Sequence, residues 1–291
     1  MNYKILMAVI ACFILSCDKK HNYPKSGEFT VLTYNVAGLP QGINADQHPL
    51  IHTDSIGVLI NEYDIVHVQE DFCYHDKLLA HNKHPYVTET KGCVPFGDGL
   101  NTFSNYFINN LKRFKWNQCN GTDCLTPKGF SYSQIVINPD VVIDFYNVHC
   151  NAGSTAADLT ARRNNIVQLA NYINKNSQGN AVIIMGDMNS RYTREGDTLE
   201  LLVNMGFTDV WVQLMKNGEY PLPGTPALTN CTPSKVSPYC EVVDHILYRS
   251  SESIQLNATE YKLDDSRYYD ATGDPLSDHN PMFAKFRYKR K

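Results

Sequence analysis

Residues that could act on a phosphate ester recur along the chain, mostly at points where apolar segments end. They occur in Tyr34-Asn35-Val36, Gln69-Glu70, Asn147-Val148-His149, Gly186-Asp187-Met188-Asn189, Val243-Asp244-His245 and Ser277-Asp278-His279. A short apolar run predicts a buried strand, and a polar residue at its end lies at the rim of a sheet, where sites are often built. One such tripeptide means little, but the ordered set predicts metal-assisted chemistry on a phosphate ester.

Asn35 and Glu70 are the first candidates for holding a metal ion. A phosphodiester is anionic, so its hydrolysis needs a divalent cation to offset the charge and a base to deprotonate water. Carboxylate and amide oxygens are hard ligands that suit Mg²⁺, with Mn²⁺ or Ca²⁺ as alternatives. Asn35 and Glu70 each offer such an oxygen at the end of a separate predicted strand.

His279 is the predicted general base, because an imidazole can exchange a proton near neutral pH. Asp244 or Asp278 could hold its ring and stabilise the imidazolium. His149 could donate a hydrogen bond to a phosphate oxygen, since such donors stabilise charge that builds up during the reaction.

Gly186 is predicted to let the backbone turn tightly, so that Asp187 and Asn189 point into the same pocket. A simpler interpretation exists for each residue alone: an Asn or Glu at a strand end is most often a cap, and a single histidine is most often structural. The combination of Gly-Asp-Met-Asn with a late Ser-Asp-His favours catalysis over those alternatives.

The elements that must position these residues alternate between strands and helices. Strands are predicted at 29–36, 64–68, 100–104, 129–137, 141–148, 181–185, 242–248 and 282–286, and helices at 48–61, 156–173 and 199–205. Thr155 and Asp158 fit a capping box at the start of the central helix. Closely spaced strand pairs with intervening helices predict two mixed sheets packed face to face, with the helices outside.

The ordered set of residues resembles the endonuclease/exonuclease/phosphatase superfamily, which has the fold of pancreatic-type deoxyribonuclease. The resemblance extends from Thr33 to Phe286. It implies an α+β fold, a four-layer αββα sandwich, and divalent-metal phosphoesterase activity. By motif, it assigns metal binding to Glu70 and Asn35 and phosphate contacts to His149 and Asn189.

The same resemblance assigns the remaining roles around the base. His279 would be the base and Asp244 would orient it. Asp187 would either orient the nucleophile or help to hold the metal, and Asp278 would belong to the metal shell.

A second resemblance concerns the substrate. The segment Asp123-Cys124-Leu125-Thr126-Pro127-Lys128-Gly129-Phe130-Ser131-Tyr132 is similar to the Asp-to-Lys-Gly segment of neutral and bacterial sphingomyelinases, as is Asp98-Gly99-Leu100. Lys128 could bring a positive charge to a phosphate, with Asp123 as its partner. The simpler alternative is an ordinary ion pair on a surface loop closed by a disulfide.

These resemblances favour a phospholipase C-type phosphodiesterase of the sphingomyelinase kind. An exported nuclease like deoxyribonuclease I would use the same central residues, and a sugar- or inositol-phosphate phosphatase is a third possibility. The net charge of −4 and the lack of a basic patch before the tail at 285–291 argue against a tight nucleic-acid binder. We interpret that basic tail as a solvated chain end, with contact to anionic lipid headgroups as the alternative.

The N-terminus is predicted to direct export. Residues 1–16 combine Lys4 with a short apolar stretch and are typical of a signal peptide. Ile14-Leu15-Ser16-Cys17 resembles a bacterial lipobox, which implies that a lipidated Cys17 tethers the protein to a membrane of the cell envelope. The alternative is a secreted protein. Residues 17–28 would then be a tether, and 29–291 a single endonuclease/exonuclease/phosphatase domain.

The cysteines support an exported protein, because nine is a high number for a reducing compartment. We predict disulfides Cys119–Cys124, Cys231–Cys240 and Cys73–Cys93 from proximity along the chain. Cys150 would then be free at a strand end.

Overall fold

The computed structural model describes residues 22–43, 47–229, 237–263 and 266–291. The predicted signal peptide and Cys17 lie outside these residues. The strands are β1 (Ser26–Asn35), β2 (Ile65–Gln69), β3 (Tyr86–Val87), β4 (Asn101–Ser104), β5 (Phe107–Lys115), β6 (Gly129–Asn138), β7 (Val141–His149), β8 (Val182–Asp187), β9 (Thr208–Asp209), β10 (Asp244–Arg249), β11 (Ile254–Lys262) and β12 (Met282–Arg290). The helices are α1 (Pro49–Leu59), α2 (His75–Leu79), α3 (Ala156–Asn176), α4 (Glu200–Asn204) and α5 (Val210–Met215).

The strands form two mixed sheets of six within the described residues. The first has the order β11-β12-β1-β2-β4-β3 and the second β5-β6-β7-β8-β10-β9. Each contains one parallel pair, β1 with β2 and β7 with β8, among antiparallel neighbours. The predicted four-layer sandwich is therefore confirmed. None of the helices in the described ranges is both long and apolar enough to cross a bilayer.

Alternation along β1 shows why the layers stack in this way. Successive side chains of a strand point to opposite faces. Phe29 points between the sheets, where its ring centre lies 6.5 Å from that of Phe145 on β7. Leu32 points the other way, into a buried cluster with Ile56 of α1 and the neighbouring Ile60. Because β1 is buried on both faces, it requires both a second sheet and a helical layer.

The outer face of the second sheet packs against α3. Thr155 caps this helix through the predicted capping box with Asp158. Tyr146 on β7 contacts Tyr172 of α3 edge-on, with ring centres 6.1 Å apart. The apolar stripe of the helix is buried, including Ile166. Local capping and helical periodicity therefore agree with the tertiary packing.

The interface between the sheets becomes polar toward the carboxyl ends of the parallel strands. Gln69 Nε2 donates to Asn147 Oδ1 across the sheets at 2.8 Å and to Thr33 Oγ1 at 3.1 Å. Asn147 Nδ2 in turn donates to Val68 O at 3.0 Å. All four residues are buried. These buried polar groups have hydrogen-bond partners, so burying them between the two sheets costs little free energy.

Several predicted boundaries differ from the structure. Strands β5 and β11 were not predicted. The residues of β5 are largely exposed and polar, so they give no apolar run. β1 begins at Ser26, within the predicted tether. The prediction of a solvated chain end was wrong for most of the tail, because β12 continues to Arg290 between β1 and β11.

The cysteine predictions are confirmed where the structure describes both partners. Cys73–Cys93 and Cys119–Cys124 form disulfides, and Cys150 is free and buried. Cys240 is disulfide-bonded, while its predicted partner Cys231 lies outside the described residues.

Candidate active site

Strand pairing brings the predicted residues to one edge of the sandwich. Asn35 ends β1, and Glu70 directly follows its parallel neighbour β2. His149 ends β7 opposite Asp187, which ends the parallel strand β8. Asp187 also lies opposite Asp244 at the start of β10. Paired residues share a face, so these side chains meet between the sheets.

Asn35 links the two sheets at the centre of this cleft. Its Nδ2 donates to Glu70 Oε1 at 3.3 Å and to Asp187 Oδ2 at 3.2 Å. Its Oδ1 accepts from the backbone N–H of Ala37 at 3.0 Å. The contacts join a strand end of the first sheet to a carboxylate of the second, so Glu70 and Asp187 face the same space.

His279 enters the cleft from the segment before β12. Ser277 Oγ donates to Asn35 O at 2.6 Å and fixes this segment to the end of β1. His279 Nδ1 lies 2.9 Å from Asp244 Oδ2, and its Nε2 lies 3.7 Å from Asp187 Oδ2. A carboxylate only accepts hydrogen bonds, so Nδ1 carries the proton and Nε2 faces the cleft. This is the arrangement expected of an oriented general base.

Charges around the imidazole alter its proton affinity. Burial by itself lowers the pKa of His279, but the carboxylates of Asp244 and Asp187 together raise it well above its usual value. Burial also raises the pKa of Asp187, opposed by the positive charge of His279. His279 and Asp187 therefore affect each other's proton affinity through their opposite charges.

His149 is fully buried beside the same carboxylates. Its Nε2 lies 3.4 Å from Asp187 Oδ2 and 3.8 Å from Glu70 Oε1, yet neither ring nitrogen forms a hydrogen bond within the described part of the chain. Burial, together with the positive charges of Lys128 and His279, lowers the pKa of His149 well below its usual value. A buried ring without a partner, aimed at the cleft, fits a donor to a bound phosphate.

Two site residues have unusual backbone conformations. Glu70 has φ +56° and Asn189 has φ +50°, in the left-handed region that side chains with a Cβ rarely adopt. Such conformations cost roughly 1–3 kcal/mol and often occur at functional sites. Gly186 does not form the predicted turn: it lies within β8, where a Cβ would come within 2.0 Å of Val148 O. It therefore allows close approach of the two strands that carry His149 and Asp187.

Asn189 lies beside Asp187, as predicted. Its Nδ2 donates to Asp187 Oδ2 and to Cys150 O, each at 3.1 Å, and its backbone N–H donates to Asp187 Oδ1 at 2.8 Å. These bonds limit the rotation of the Asp187 carboxylate. Both N–H groups of the amide are thus engaged within the protein, and the contact of Asn189 with a phosphate stays a prediction.

A buried ion pair behind these loops was not predicted. Arg162 of α3 pairs with Asp197 at 2.7 Å and donates from Nη1 to the backbone oxygens of Asn151 and Gly153, each at 2.9 Å. It thereby ties the loop after β7 to the loop after β8. Arg162 is buried beside the apolar stripe of α3, as is Asn165, and a charged residue at such a position is the sequence signal that could have revealed it.

Lys128 and Asp123 form the predicted ion pair, with Nζ 2.7 Å from Oδ1 and both side chains largely buried. Asp123 also accepts from the backbone N–H of Ala152, next to the loop after β7. Burial raises the pKa of Glu70, and the charge of Lys128 opposes that rise. Lys128 lines a cavity together with Glu70. The interpretation as an ordinary exposed ion pair therefore does not describe this loop.

The donors around Glu70 fit a hard divalent cation. The carboxylates of Glu70 and Asp187 lie on either side of the Asn35 amide, and the unbonded ring of His149 faces them. Carboxylate oxygens are ligands that Mg²⁺ prefers, so this donor set fits the predicted role of Glu70. The Asn35 amide oxygen instead accepts from the Ala37 N–H, and its nitrogen faces the carboxylates. The roles of Glu70 and Asn35 as metal ligands remain predictions.

A second group of possible ligands lies on the other side of the cleft. Atoms of Asp187, Asp244 and His279 that could bind a metal lie within 4.8 Å of one another. His279 Nδ1 is already bonded to Asp244, so this group also fits the oriented base described above. Asp278 is exposed and does not belong to this group. Its role in the metal shell stays a prediction.

Other residues from the sequence motifs lie farther out. Asp98 pairs with Arg113 of β5 at 2.7 Å and so joins the two sheets. Arg194 pairs with Asp197 at 2.6 Å. The Nε of Arg191 is buried without a hydrogen-bond partner among the described residues, and the side chain lines a polar cavity beside His279.

Comparisons with known proteins agree with this geometry. A model described as "Endonuclease/Exonuclease/phosphatase family 2" matches residues 52–221. Over 272 residues the chain is 38% identical to a protein named Sphingomyelinase from Mycobacterium bovis, covering 90% of this chain and 53% of that protein. The chain thus spans about half the length of the curated relatives it matches.

Solved structures show the same fold. One is a beta toxin variant from Staphylococcus aureus with bound magnesium ions, with a TM-score of 0.62, 18% identity, and coverage of 89% of this chain and 99% of that chain. Another is D. rerio TDP2 complexed with a single-strand DNA product, with a TM-score of 0.64, 16% identity, and coverage of 89% and 99%. Identities this low establish the fold alone. The family match over more than half of the sequence, together with this fold, shows that the chain belongs to the endonuclease/exonuclease/phosphatase family.

Proposed function

We propose that the protein is a divalent-metal-dependent phosphodiesterase that hydrolyses a phospholipid headgroup ester, as a sphingomyelinase does. The observation that carries the proposal is the convergence of Glu70, Asp187, His279 and Lys128 on one cleft. The 38% identity to the Mycobacterium bovis sphingomyelinase supports the lipid substrate.

Glu70 and Asn35 would hold the cation, with Asp278 as a further candidate. Mg²⁺ is our first choice because the similar beta toxin binds magnesium ions, with Mn²⁺ or Ca²⁺ as alternatives. Once bound, the cation would offset the negative charge of the phosphate and of the transition state. The buried carboxylate of Glu70 would then have a partner for its charge, which burial otherwise disfavours.

His279 would start the reaction by taking a proton from water at Nε2. Asp244 holds Nδ1–H and stabilises the imidazolium that forms. The hydroxide oxygen bonds to phosphorus, and the bond from phosphorus to the lipid oxygen breaks. That oxygen leaves with the bonding electrons and takes up a proton from solvent water, and His279 afterwards releases the proton it accepted to solvent. The products are a lipid alcohol and a phosphorylated headgroup.

Lys128, His149 and Asn189 would contact the phosphate oxygens as charge builds on them. Donors that are held in place before the reaction stabilise the transition state without reorganisation. Lys128 is held by Asp123, and Asn189 by its bonds to the loop after β7. Asp187 would keep the attacking water between its own carboxylate and His279.

We also propose that the protein is exported to the bacterial cell envelope and tethered there through a lipidated Cys17. The alternative is secretion without a tether. The disulfides Cys73–Cys93 and Cys119–Cys124 support export, because such bonds persist in oxidising compartments. Labelling with a radioactive fatty acid, with Cys17→Ser as the control, would test the lipid anchor.

A substrate panel tests the activity. Sphingomyelin, ceramide phosphoethanolamine, phosphatidylcholine, duplex DNA and simple phosphomonoesters would be compared with Mg²⁺ present. We expect phospholipid cleavage that EDTA abolishes and added Mg²⁺ or Mn²⁺ restores. Cleavage of DNA alone would instead identify a nuclease, and cleavage of monoesters alone a phosphatase. Full activity after removal of metal would contradict the metal-dependent mechanism.

A further inference from the structure

Three large apolar side chains project into solvent next to the catalytic cleft. Phe96 is 83% exposed, Ile43 is 71% exposed and Leu125 is 67% exposed. They come from three loops that are far apart in the sequence. We call these three side chains the apolar rim. Exposed apolar groups scattered singly need no explanation, but a cluster beside a functional cleft marks an interaction surface.

The apolar rim lies beside a cavity of about 330 Å³. Ile43 and Leu125 line it directly, and Phe96 follows two further lining residues, Val94 and Pro95. The other apolar residues in its wall are Leu39 and Phe72.

The lining of the cavity also includes Glu70 and Lys128 of the catalytic cleft. A phosphate bound at Glu70 and Lys128 would therefore have its apolar substituent beside apolar walls. The cavity is continuous with the catalytic cleft rather than a separate site.

The rim is attached firmly to the catalytic residues. The disulfide Cys73–Cys93 holds the loop of Phe96 against the segment that follows Glu70. Gly38 connects the loop of Ile43 to the same segment, donating to Glu70 O and accepting from Cys73 N, each at 3.1 Å. A surface that contacts the rim is thus held at a constant distance from the phosphate site.

The third rim loop is braced as well. The disulfide Cys119–Cys124 closes the short loop that directly precedes Leu125. Of the charges beside these loops, Lys128 pairs with Asp123 and Asp98 with Arg113, whereas Lys91 at the start of the Phe96 loop is exposed.

The rim segments themselves, 38–43, 92–97 and 124–127, contain no charged residue. A nucleic acid would require free cations along its phosphates, which these segments do not offer. An uncharged apolar edge is instead suited to the boundary between lipid headgroups and acyl chains.

We propose that Ile43, Phe96 and Leu125 enter the surface of a lipid bilayer, and that the cavity receives the apolar part of the lipid whose phosphate is cleaved. The inference rests on the proposed phospholipid substrate and adds the surface by which the protein docks. It places the opening of the cleft against the membrane, so that a lipid can reach Glu70 and Lys128 without leaving the bilayer entirely.

Vesicle binding tests the docking surface without relying on turnover. The full chain would carry Cys17→Ser, so that no acyl anchor contributes, and would be mixed with equimolar phosphatidylcholine and sphingomyelin vesicles. We expect Phe96→Asp to reduce the bound fraction about 10-fold or more, because a large apolar side chain no longer leaves water. Ile51→Asp, on the outer surface of α1 and 67% exposed, is the matched control and should bind as the parent does.

Turnover separates this inference from the proposed function. Phe96 does not line the cavity, so Phe96→Asp should hydrolyse a short water-soluble phosphocholine ester as the parent does, while cleavage of vesicle sphingomyelin falls with binding. Loss of both activities would assign Phe96 a structural role and overturn the proposal. If the parent hydrolyses no phospholipid yet binds vesicles through the rim, only the proposed function fails.

A fluorescent reporter gives an independent measurement. The native Trp116 and Trp211 are buried, with 5% and 4% exposed. In Phe96→Trp, the new indole should therefore dominate any quenching by brominated phosphatidylcholine in the vesicles. Strong quenching supports insertion. The proposal would be overturned if the parent and Phe96→Asp bound vesicles equally, or if Phe96→Trp were quenched no more than the parent. It would also be overturned if Phe96→Asp lost only self-association and still bound vesicles as the parent does.

Discussion

The two sides of the catalytic cleft differ in the polarity of the cavities beside them. On the side of Glu70 and Lys128, a cavity of about 330 Å³ has mainly apolar walls. On the side of His279, a cavity of about 240 Å³ is lined by polar and charged residues such as Arg191 and Glu241. The reacting groups lie between an apolar and a polar compartment.

This difference predicts the orientation of a substrate. A phospholipid ester carries one apolar and one polar substituent on its phosphate, so the two cavities favour one direction of binding. The lipid alcohol would lie beside Glu70 and Lys128, and the headgroup beside Arg191. The leaving oxygen and the base His279 would then lie on opposite sides of phosphorus, as an in-line displacement requires.

The largest expected effect concerns the base on the polar side. His279→Ala should lower kcat by about 10²–10⁴-fold, because water loses its proton acceptor. The measurement is turnover of a soluble phosphodiester at saturating substrate, with a thermal melt to check folding. His81→Ala, an exposed histidine paired with Asp54, is the control and should keep full activity. Unchanged kcat in His279→Ala would remove the base from the mechanism.

A charge on the apolar side should have the next largest effect. Lys128→Met should lower kcat by about 10²-fold, because one positioned donor to the transition state is lost. Lys91→Met, an exposed lysine on the rim loop, serves as the control. If the two variants had equal kcat, Lys128 would be only the structural partner of Asp123. A melt would show whether the unpaired Asp123 destabilises the fold.

A substitution in the polar cavity should weaken substrate binding more than it slows the chemical step. Arg191→Met should raise KM for a soluble ester about 10-fold with little change in kcat, since a charged hydrogen bond to the headgroup or phosphate is lost. Vesicle binding should not change. Arg287→Met, at an exposed position of β12, is the control. Phe96→Asp should instead reduce vesicle binding and leave KM for the soluble ester unchanged. If both variants changed the same quantities, the two sides of the cleft would not be functionally distinct.

The smallest expected effect is a shift in pH dependence. His279 acts as a base only when neutral, and Asp244 raises its pKa, so the rate should rise with pH through that raised value. Asp244→Asn removes the negative charge, lowers the pKa of His279, and should move the acidic limb of kcat/KM to lower pH by about one unit or more. Asp54→Asn, on the surface, should leave the limb in place. An unmoved limb in Asp244→Asn would show that another group controls it.

The strands that carry the site could be predicted because their apolar runs are continuous. β7 and β8 are buried on both faces; β8 is apolar up to Gly186, and β7 is apolar apart from Asp144, Asn147 and its last residue His149. β5 could not be predicted in this way, because it is an edge strand with mostly exposed residues and no alternation. In β12, residues 284, 286 and 288 are buried while 285 and 287 are less so. That alternation continues through the basic tail and was hidden by its charges.

Roles that depend on packing were less accessible than residue types. Gln69 and Asn147 belong to motifs that suggest chemistry, yet they hydrogen-bond to each other across the sheets. Gly186 was expected to turn the chain, but it allows two strands to approach. The apolar rim has no local signature, since Phe96 and Leu125 are single apolar residues in irregular loops.

The sequence by itself determined which chemical groups are available and where the strands that carry the site lie, because both follow from residue type and from periods of two or 3.6 residues. It also determined the short disulfide and the helix cap, which join neighbours in the chain. Only the tertiary structure decided that Asn35 touches Asp187, 152 residues away. Such contacts depend on the order, register and facing of strands in two sheets, and the cavities exist only once distant loops have packed around the strand ends.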